Sequence, residues 1–466
     1  MSKVLVHAAY VLDDKAQGGF DEKFGDFLEQ IGRDLLVGTF ADFHKSIFPT
    51  AANADAFQKR AAEAAACHDD RNDADVAKNV FGFRVELDTS LFADANYALQ
   101  RLVHTLASDV FLRRISDHAG YVAVKTIDFG ALKDSIEAAY RPQSNDRTKI
   151  RQAFNLSDYR PLLAFSLKPR SCLSDDDYYA IVRQAFDGGC NIVELDTRDL
   201  LLHGAERLTL FETLTTLALD MSKERICRFS ANLSGPPRVI EPIYERLAQL
   251  HEAQAPEGPW VVKVDGNLDG LSLVQAIRAG QFAAYAQPII TCYPVLKYAL
   301  ERALGADGFV RMLAMSGVDI IYPGQSPSFD NANGRIDTQR VASAKRHYEA
   351  MDMGGYPLLS VAGGLAINSV HACLSVLGPD IAFFVGGGIA TSKQGIKSGA
   401  GNFAQAIEYA CLDLFENEKV DGLEAKFVDL SKVYFDKGKV PEEYEFIRPA
   451  TLKAVAGRYK STSMEG

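Results

Sequence analysis

The sequence predicts an α/β protein: a C-terminal (β/α)8 TIM barrel preceded by a smaller α+β domain. Three observations predict it. From Pro161 onward, short continuous apolar runs alternate with longer amphipathic segments. The alternation gives eight strand–helix units over roughly 255 residues, close to the usual size of such a barrel. Glycine clusters close the last two units, at Gly363-Gly364 and Gly386-Gly387-Gly388.

The barrel strands are expected at Leu162–Leu167, Asn191–Leu195, Ile226–Leu233, Trp260–Val264, Pro288–Cys292, Val318–Tyr322, Leu358–Val361 and Ile381–Val385. Their unbroken apolar character fits a parallel sheet covered on both faces. Helices are expected between them at Asp175–Phe186, Ala205–Ser222, Val239–Ala253, Leu271–Ala279, Val295–Leu304, Thr338–Met351 and Ile367–Leu377, with Ala404–Phe415 after the last strand. A doubly wound open sheet is the competing architecture; the count and length of the units favour the barrel.

Residues 1–145 lack this alternation and read as the α+β domain. Val4–Val11, Phe81–Leu87 and Gly120–Ile127 have strand texture, while Phe20–Leu36, Asp94–Leu106 and a short segment near Ala131–Ala139 have helical spacing. Tyr140–Asp158 is polar and reads as a linker or surface loop. The barrel is expected over 146–416, and the charged segment 417–466 as a helical tail.

Composition narrows the function classes. The 466 residues are 47% hydrophobic and 24% charged, ordinary for a globular protein with a large core. A net charge of -11 argues against a nucleic-acid groove or a polybasic membrane patch. Anionic substrates would have to be met by backbone dipoles and a few placed cations. Seven scattered cysteines with no CxxC pair point to buried thiols in a reducing compartment. The opening MSKVLVHAAYVLDD has one lysine, a short apolar run and then acids, unlike a secretory signal. No apolar run approaches the roughly 20 residues of a membrane span. A cytoplasmic location is the expectation.

In a barrel of this kind the chemistry sits just after the strands. That rule selects Lys168-Pro169-Arg170 after the first strand, Glu194, Asp196 and Thr197 at the second, and Asn232 at the third. The fourth carries Lys263 and Asp265, and the fifth Thr291, Tyr293 and then Lys297. The sixth ends in Tyr322, Gly324 and Gln325, and the last two in the glycine clusters. Glycine turns at adjacent strand ends expose backbone N–H groups where a phosphate can approach; the plainer alternative is a pair of tight turns. Glu194 and Asp196 alternate along one strand, so both can point to one side. Such a pair can hold Mg²⁺ or act as acid and base, or can form an ion pair with Arg198 or Lys168. Lys168, following a buried strand, is a candidate base or an ion-pair partner. His203 and His371 read as structural or exposed, and Asp175–Asp177 after Ser174 as a helix N-terminus.

Several of these segments, in this order, resemble the large-subunit barrel of RuBisCO and the RuBisCO-like proteins. RPLLAFSLKPR is similar to the KPK motif of the first strand, GGCNIVELDT to the segment bearing the carbamylated lysine, and FSANLSG to the asparagine motif of the third. VAGG resembles the SGG phosphate turn, and FFVGGGIA with GIKSGA the last glycine motif and its helix. VGTF and Ser108-Asp109 resemble the N-terminal TGT and GN segments.

The resemblance implies what has changed. The carbamylated lysine is matched by Glu194, and the two acidic metal ligands by Asp196 and Thr197. The second lysine of KPK is matched by Arg170, the strand-five and strand-six histidines by Tyr293 and Tyr322, the mobile-loop lysine by a position near Phe329, and the serine of SGG by Ala362. Lys168, Asn232 and the glycine turns are kept. The resemblance therefore implies an enzyme of enediolate chemistry on a phosphorylated sugar acid or ketose, a decarboxylase or transcarboxylase/hydrolase of the 3-oxo-isoapionate 4-phosphate type, and not a carboxylase of ribulose bisphosphate. Alternatives are a methylthioribulose-phosphate enolase or isomerase, and a catalytically inactive metabolite-binding protein. It implies Lys168, Glu194 and Asp196 as catalytic groups, with Glu194 and Asp196 as the ligands of any Mg²⁺. Arg170, Asn232, Tyr293, Lys297, Gly324, Gly363, Gly364, Gly387 and Gly388 would hold the substrate and its phosphate. It also implies a homodimer whose site lies at the subunit interface, with Thr39 and Asp109 as cross-subunit contributors.

Overall fold

The structure is a computed structural model that describes residues 3–12, 24–26, 28, 65–76, 80–89, 120–130, 133–134, 145–157, 159–168, 173–195, 207–222, 225–235, 237–256, 258–266, 268–282, 287–293, 313–322, 357–363, 365–390, 392–416 and 420–431. The chain divides into two compact units, one of Met1–Pro142 with Leu296–Ser316, the other of Gln143–Val295 with Gly317–Gly466.

The first unit is built on an antiparallel sheet in the order β2–β3–β1–β4, with β1 at Lys3–Leu12, β2 at Ala65–Asp69, β3 at Val80–Asp88 and β4 at Gly120–Asp128. In β1, Val4, Val6, Ala8 and Tyr10 are buried, the period of two expected of a sheet with one covered face. A register shift against β4 falls between His7 and Ala8. Phe24 is buried against the rings of Phe81 and Phe83, at 5.5 and 6.5 Å. β2 has no strand signal of its own. Its sequence AACHD lies in an alanine-rich stretch with helical propensity, and pairing with β3 overrides that preference. The expected helices Asp94–Leu106 and Val295–Leu304 lie outside the described residues, as do most of Phe20–Leu36 and Ala131–Ala139.

The second unit contains a closed parallel barrel in the order β10–β11–β12–β5–β6–β7–β8–β9. Its strands are β5 Leu162–Ser166, β6 Ile192–Glu194, β7 Arg228–Asn232, β8 Val261–Asp265, β9 Ile289–Tyr293, β10 Ile320–Ile321, β11 Leu358–Ala362 and β12 Ile381–Val385. Closure runs through β9 to β10, with Thr291 beside Ile320. The doubly wound alternative is thereby excluded.

The outer helices follow from their caps and apolar faces. The Asp175–Asp187 helix starts in a reciprocal cap: Asp177 N donates to Ser174 Oγ at 3.2 Å, and Ser174 N donates back to the Asp177 carboxylate at 3.0 Å. The three aspartates there are thus a helix start, as their sequence implied. Gly188, after this helix, lies against the Lys397 carbonyl and Ala400 with no room for a side chain. That close approach explains the small residues of the Gly395–Leu414 helix, which begins nine residues earlier than its apolar spacing predicts. His371 is buried and bonded through Nε2 to the Asp413 carboxylate at 2.9 Å, a structural role.

One expectation is corrected. Tyr140–Asp158 is more than a linker, because Arg147–Ala153 is a helix capped by Asp146, whose side chain accepts from Lys149 N at 2.7 Å. Its Ile150, with Phe154 just after it, joins Leu162, Ile192, Val261, Ile289, Ile320 and Leu358 in one core at the N-terminal ends of the strands. Of the polar residues that suggested a loop, Thr148 and Lys149 lie on this helix's exposed face.

Asp319 ties the wall together from outside this core. It receives Ile290 N at 2.7 Å and Asn145 N at 2.5 Å, and forms a fully buried ion pair with Arg278. None of the six described cysteines is in a disulfide. Among the described residues no helix is long and apolar enough to cross a membrane.

Candidate active site

The barrel interior changes character along its axis. Interior positions recur every second residue on each strand. At the start of the strands they are Leu162, Ala164, Ile192, Val261 and Ile289, all in the apolar core. Two residues further on they are Ser166, Glu194, Lys263 and Thr291. These side chains meet inside the barrel.

Glu194 is the centre of that meeting. Its Oε1 accepts from Lys263 Nζ at 2.9 Å and from Ser166 Oγ at 3.2 Å. Its Oε2 accepts from Thr291 Oγ1 at 3.2 Å. The partners come from β5, β8 and β9, so the carboxylate points into the barrel and not toward the helices. The side chains of Lys263 and Glu194 are only 1% and 6% exposed. A buried carboxylate is costly unless paired and hydrogen-bonded, and here both oxygens are engaged. Beside Glu194 on β7, the buried hydroxyl of Ser230 has no hydrogen-bond partner among the described residues.

A second polar group braces the adjoining wall. Asn232 Nδ2 donates to Asp265 Oδ1 at 3.3 Å, Ser234 N donates to Asn232 Oδ1 at 2.9 Å, and Asp265 N donates to Ser234 Oγ at 2.6 Å. Asn232, expected to contact substrate, is thus fully buried and ties β7 to β8. Burial, with Asp265 adding to it, pushes the nearby Cys292 thiol well above its ordinary range and leaves it protonated.

At the mouth, Tyr293 and Tyr322 stack with centroids 4.8 Å apart and planes 6° from parallel. Tyr322 is fixed by donating its hydroxyl to the Ala362 carbonyl at 3.2 Å. Tyr293 is 41% exposed, and its ring lies 5.7 Å from Lys263 Nζ. Lys168 follows β5 and is half-buried. Its chain runs along Gly386, where an added Cβ would lie 3.3 Å from Lys168 Cε and 3.2 Å from the Ser166 carbonyl oxygen.

The glycines differ among themselves. Gly363 has a φ of 77°, the left-handed region that favours glycine, and is exposed. Gly387 faces open space. Gly388 packs against the Leu365 carbonyl and the Phe403 ring, so a structural reason suffices there. Lys168, Glu194, Tyr293 and Gly387 thus sit at or below one mouth. Arg170, Asp196, Thr197, Lys297, Gly324, Gly364 and Phe329 lie outside the described residues, as do Thr39, Asp109 and His203.

The described donor set does not offer a divalent cation an open ligand at Glu194, since an ammonium group already holds that carboxylate. Among the described residues no cluster of three or more His, Cys, Asp or Glu side chains could hold a metal ion. Lys263 and Thr291 were visible at strand ends without an evident role. The signal for them is the period of two, which puts both in line with interior residues of β8 and β9.

These features define a TIM-barrel site at the C-terminal mouth, with a lysine beside a glycine turn and a charged pair beneath. No protein-family model matches the sequence. Two curated relatives are the ribulose bisphosphate carboxylases of Methanocaldococcus jannaschii, 23% identical over 276 residues, and Methanosarcina mazei, 24% identical over 273. In each case the match covers 56% of this chain and 62% of the relative's length. Among solved structures, the fold is similar to a dimeric archaeal RuBisCO from Hyperthermus butylicus, with TM-score 0.69 and 17% identity over 94% of this chain and 96% of that one. It is also similar to a RuBisCO-like protein (MtnW) from Alicyclobacillus acidocaldarius, with TM-score 0.64 and 16% identity over 93% of this chain and 99% of that one. Together these similarities fit the RuBisCO-like superfamily at low identity.

Proposed function

We propose that the chain is a RuBisCO-like enzyme of enediolate chemistry, acting on a phosphorylated sugar acid or ketose and not carboxylating ribulose bisphosphate. The observation that carries this reading is Glu194. It stands where the resemblance puts the carbamylated lysine, and it is bound to Lys263. A carboxylate cannot take up carbon dioxide as a carbamate.

The substrate's phosphate docks at the exposed glycine turns of Gly363 and Gly387, where the lack of a side chain lets a ligand approach the backbone closely. Its carbonyl carbon lies toward Lys168. In a decarboxylation, the carboxylate leaves as carbon dioxide, and the electron pair of the broken C–C bond passes into the carbonyl as an enolate. The Lys168 ammonium then returns a proton to carbon. In an isomerisation, Lys168 as the free amine removes the proton first. The stacked Tyr293–Tyr322 pair walls one side of the cleft and limits water. A transcarboxylase/hydrolase of the 3-oxo-isoapionate 4-phosphate type is the finer form of this reading. A homodimer belongs to it too, and a similar fold is that of a dimeric RuBisCO.

Calorimetric titration with phosphorylated sugar acids and ketoses, followed by mass spectrometry of the products, tests the reading. Binding with turnover to a decarboxylated or isomerised product is expected. Binding without turnover would favour the inactive metabolite-binding alternative. Incorporation of labelled bicarbonate into a product of ribulose bisphosphate would overturn the proposal.

A further inference from the structure

We infer that the Lys263 ammonium is the built-in cation of this barrel, and that Glu194 is therefore not a metal ligand. Four observations carry the inference. Lys263 Nζ lies 2.9 Å from Glu194 Oε1, with both side chains almost wholly buried. The other partners of that carboxylate, the Ser166 and Thr291 hydroxyls, also donate to it, so donors reach it from three strands. The ammonium lies 5.7 Å from the Tyr293 ring, which places it below the exposed face of the mouth. Asp265, at the end of the same strand, is tied to Asn232 and Ser234 and so is held in the wall.

The physical argument is exclusion. A divalent cation at Glu194 would sit within a few ångströms of an ammonium in a low-dielectric interior, where like charges repel strongly. Moving Lys263 aside would leave a buried ammonium without its partner. Conversely, the fixed ammonium already balances the Glu194 carboxylate, so no ion from solution is needed there. Because metal binding can be read without substrate, this inference stands or falls separately from the reaction proposed above.

The test is a Mn²⁺ titration of the chelator-stripped full chain, followed by the electron paramagnetic resonance of free Mn²⁺. Wild type and Glu194→Gln are expected to give the same curve, with no Glu194-dependent site up to millimolar Mn²⁺. Lys263→Met, which uncovers the carboxylate, is expected to bind Mn²⁺ at least tenfold more tightly than wild type. A wild-type site that Glu194→Gln weakens tenfold would overturn the inference, and so would a folded Lys263→Met that binds no better than wild type. Where Lys263→Met does not fold, the comparison of wild type with Glu194→Gln decides alone, supported by the Lys263→Met/Glu194→Gln double variant as the neutral reference for fold.

Discussion

At the N-terminal end of the barrel, Ile150 and Phe154 pack with Leu162, Ile192, Val261 and Ile289 in one apolar core. At the C-terminal end the same strands present Ser166, Glu194, Lys263 and Thr291, joined by hydrogen bonds across the interior. One step of the strand period, two residues, separates the layers. The lower layer can be exchanged only for other apolar volume. The upper layer is a set of mutually dependent polar groups, where removing one member leaves another buried and unpaired. Stability and chemistry are thus sorted along one axis, and substitutions at the two ends should have separable effects.

The largest expected effect is at the mouth. Lys168→Met should lower turnover by ~10²–10⁴-fold, the range for a lost proton carrier, with phosphate-ester binding kept. Steady-state kinetics beside calorimetry checks this, and unchanged turnover would remove Lys168 from the mechanism. At the closed end, Phe154→Ala should cost about 3–5 kcal/mol of stability, since this fully buried ring seals the core, while ligand affinity is retained. Denaturant unfolding reads it, and a loss under 1 kcal/mol would mean that the helix does not close the barrel.

A smaller effect depends on pH. Burial first, and then the nearby Arg228 charge, lower the pKa of His251 from 6.5 to about 4, against the opposing bond from Nε2 to the Pro259 carbonyl. The unfolded chain takes up a proton near pH 6.5, while the folded chain does not until about 4. The neutral form's advantage is therefore complete above pH 6.5 and shrinks as the pH falls toward 4. Between pH 7 and 5, wild type should lose about 2 kcal/mol more stability than His251→Gln. Parallel unfolding curves at the two pH values would contradict it.

The smallest pair of effects separates neighbouring glycines. Gly388→Ala should destabilise by about 1–3 kcal/mol, because the new methyl meets the Leu365 carbonyl and Phe403. Gly387→Ala faces open space and should leave stability unchanged, while its methyl crowds the docked phosphate ester and weakens binding by about tenfold, roughly 1.4 kcal/mol. The reverse pattern would place the phosphate elsewhere.

Much of the barrel was legible because its strands are continuous apolar runs, and a two-sided burial writes itself into sequence. The strand at Ile381–Val385 and the helix at Ile367–Leu377 have the bounds that their residues imply. The Arg147–Ala153 helix was not legible, since only Ile150 of its seven residues is a large buried hydrophobe. Nor was β2, which owes its conformation to its neighbour. At the site, Glu194 was legible as a carboxylate at a strand end. Its partner was not, because Lys263 comes from two strands away and only barrel closure brings the two together.

Solvent deuterium exchange into a phosphorylated ketose measures proton transfer at carbon directly, without requiring the final product to be known. The account predicts that wild-type protein incorporates deuterium at the carbon next to the carbonyl, and that Lys168→Met does not while still binding the ketose. Equal incorporation by both proteins would contradict the assignment of Lys168 as the proton carrier at the barrel mouth.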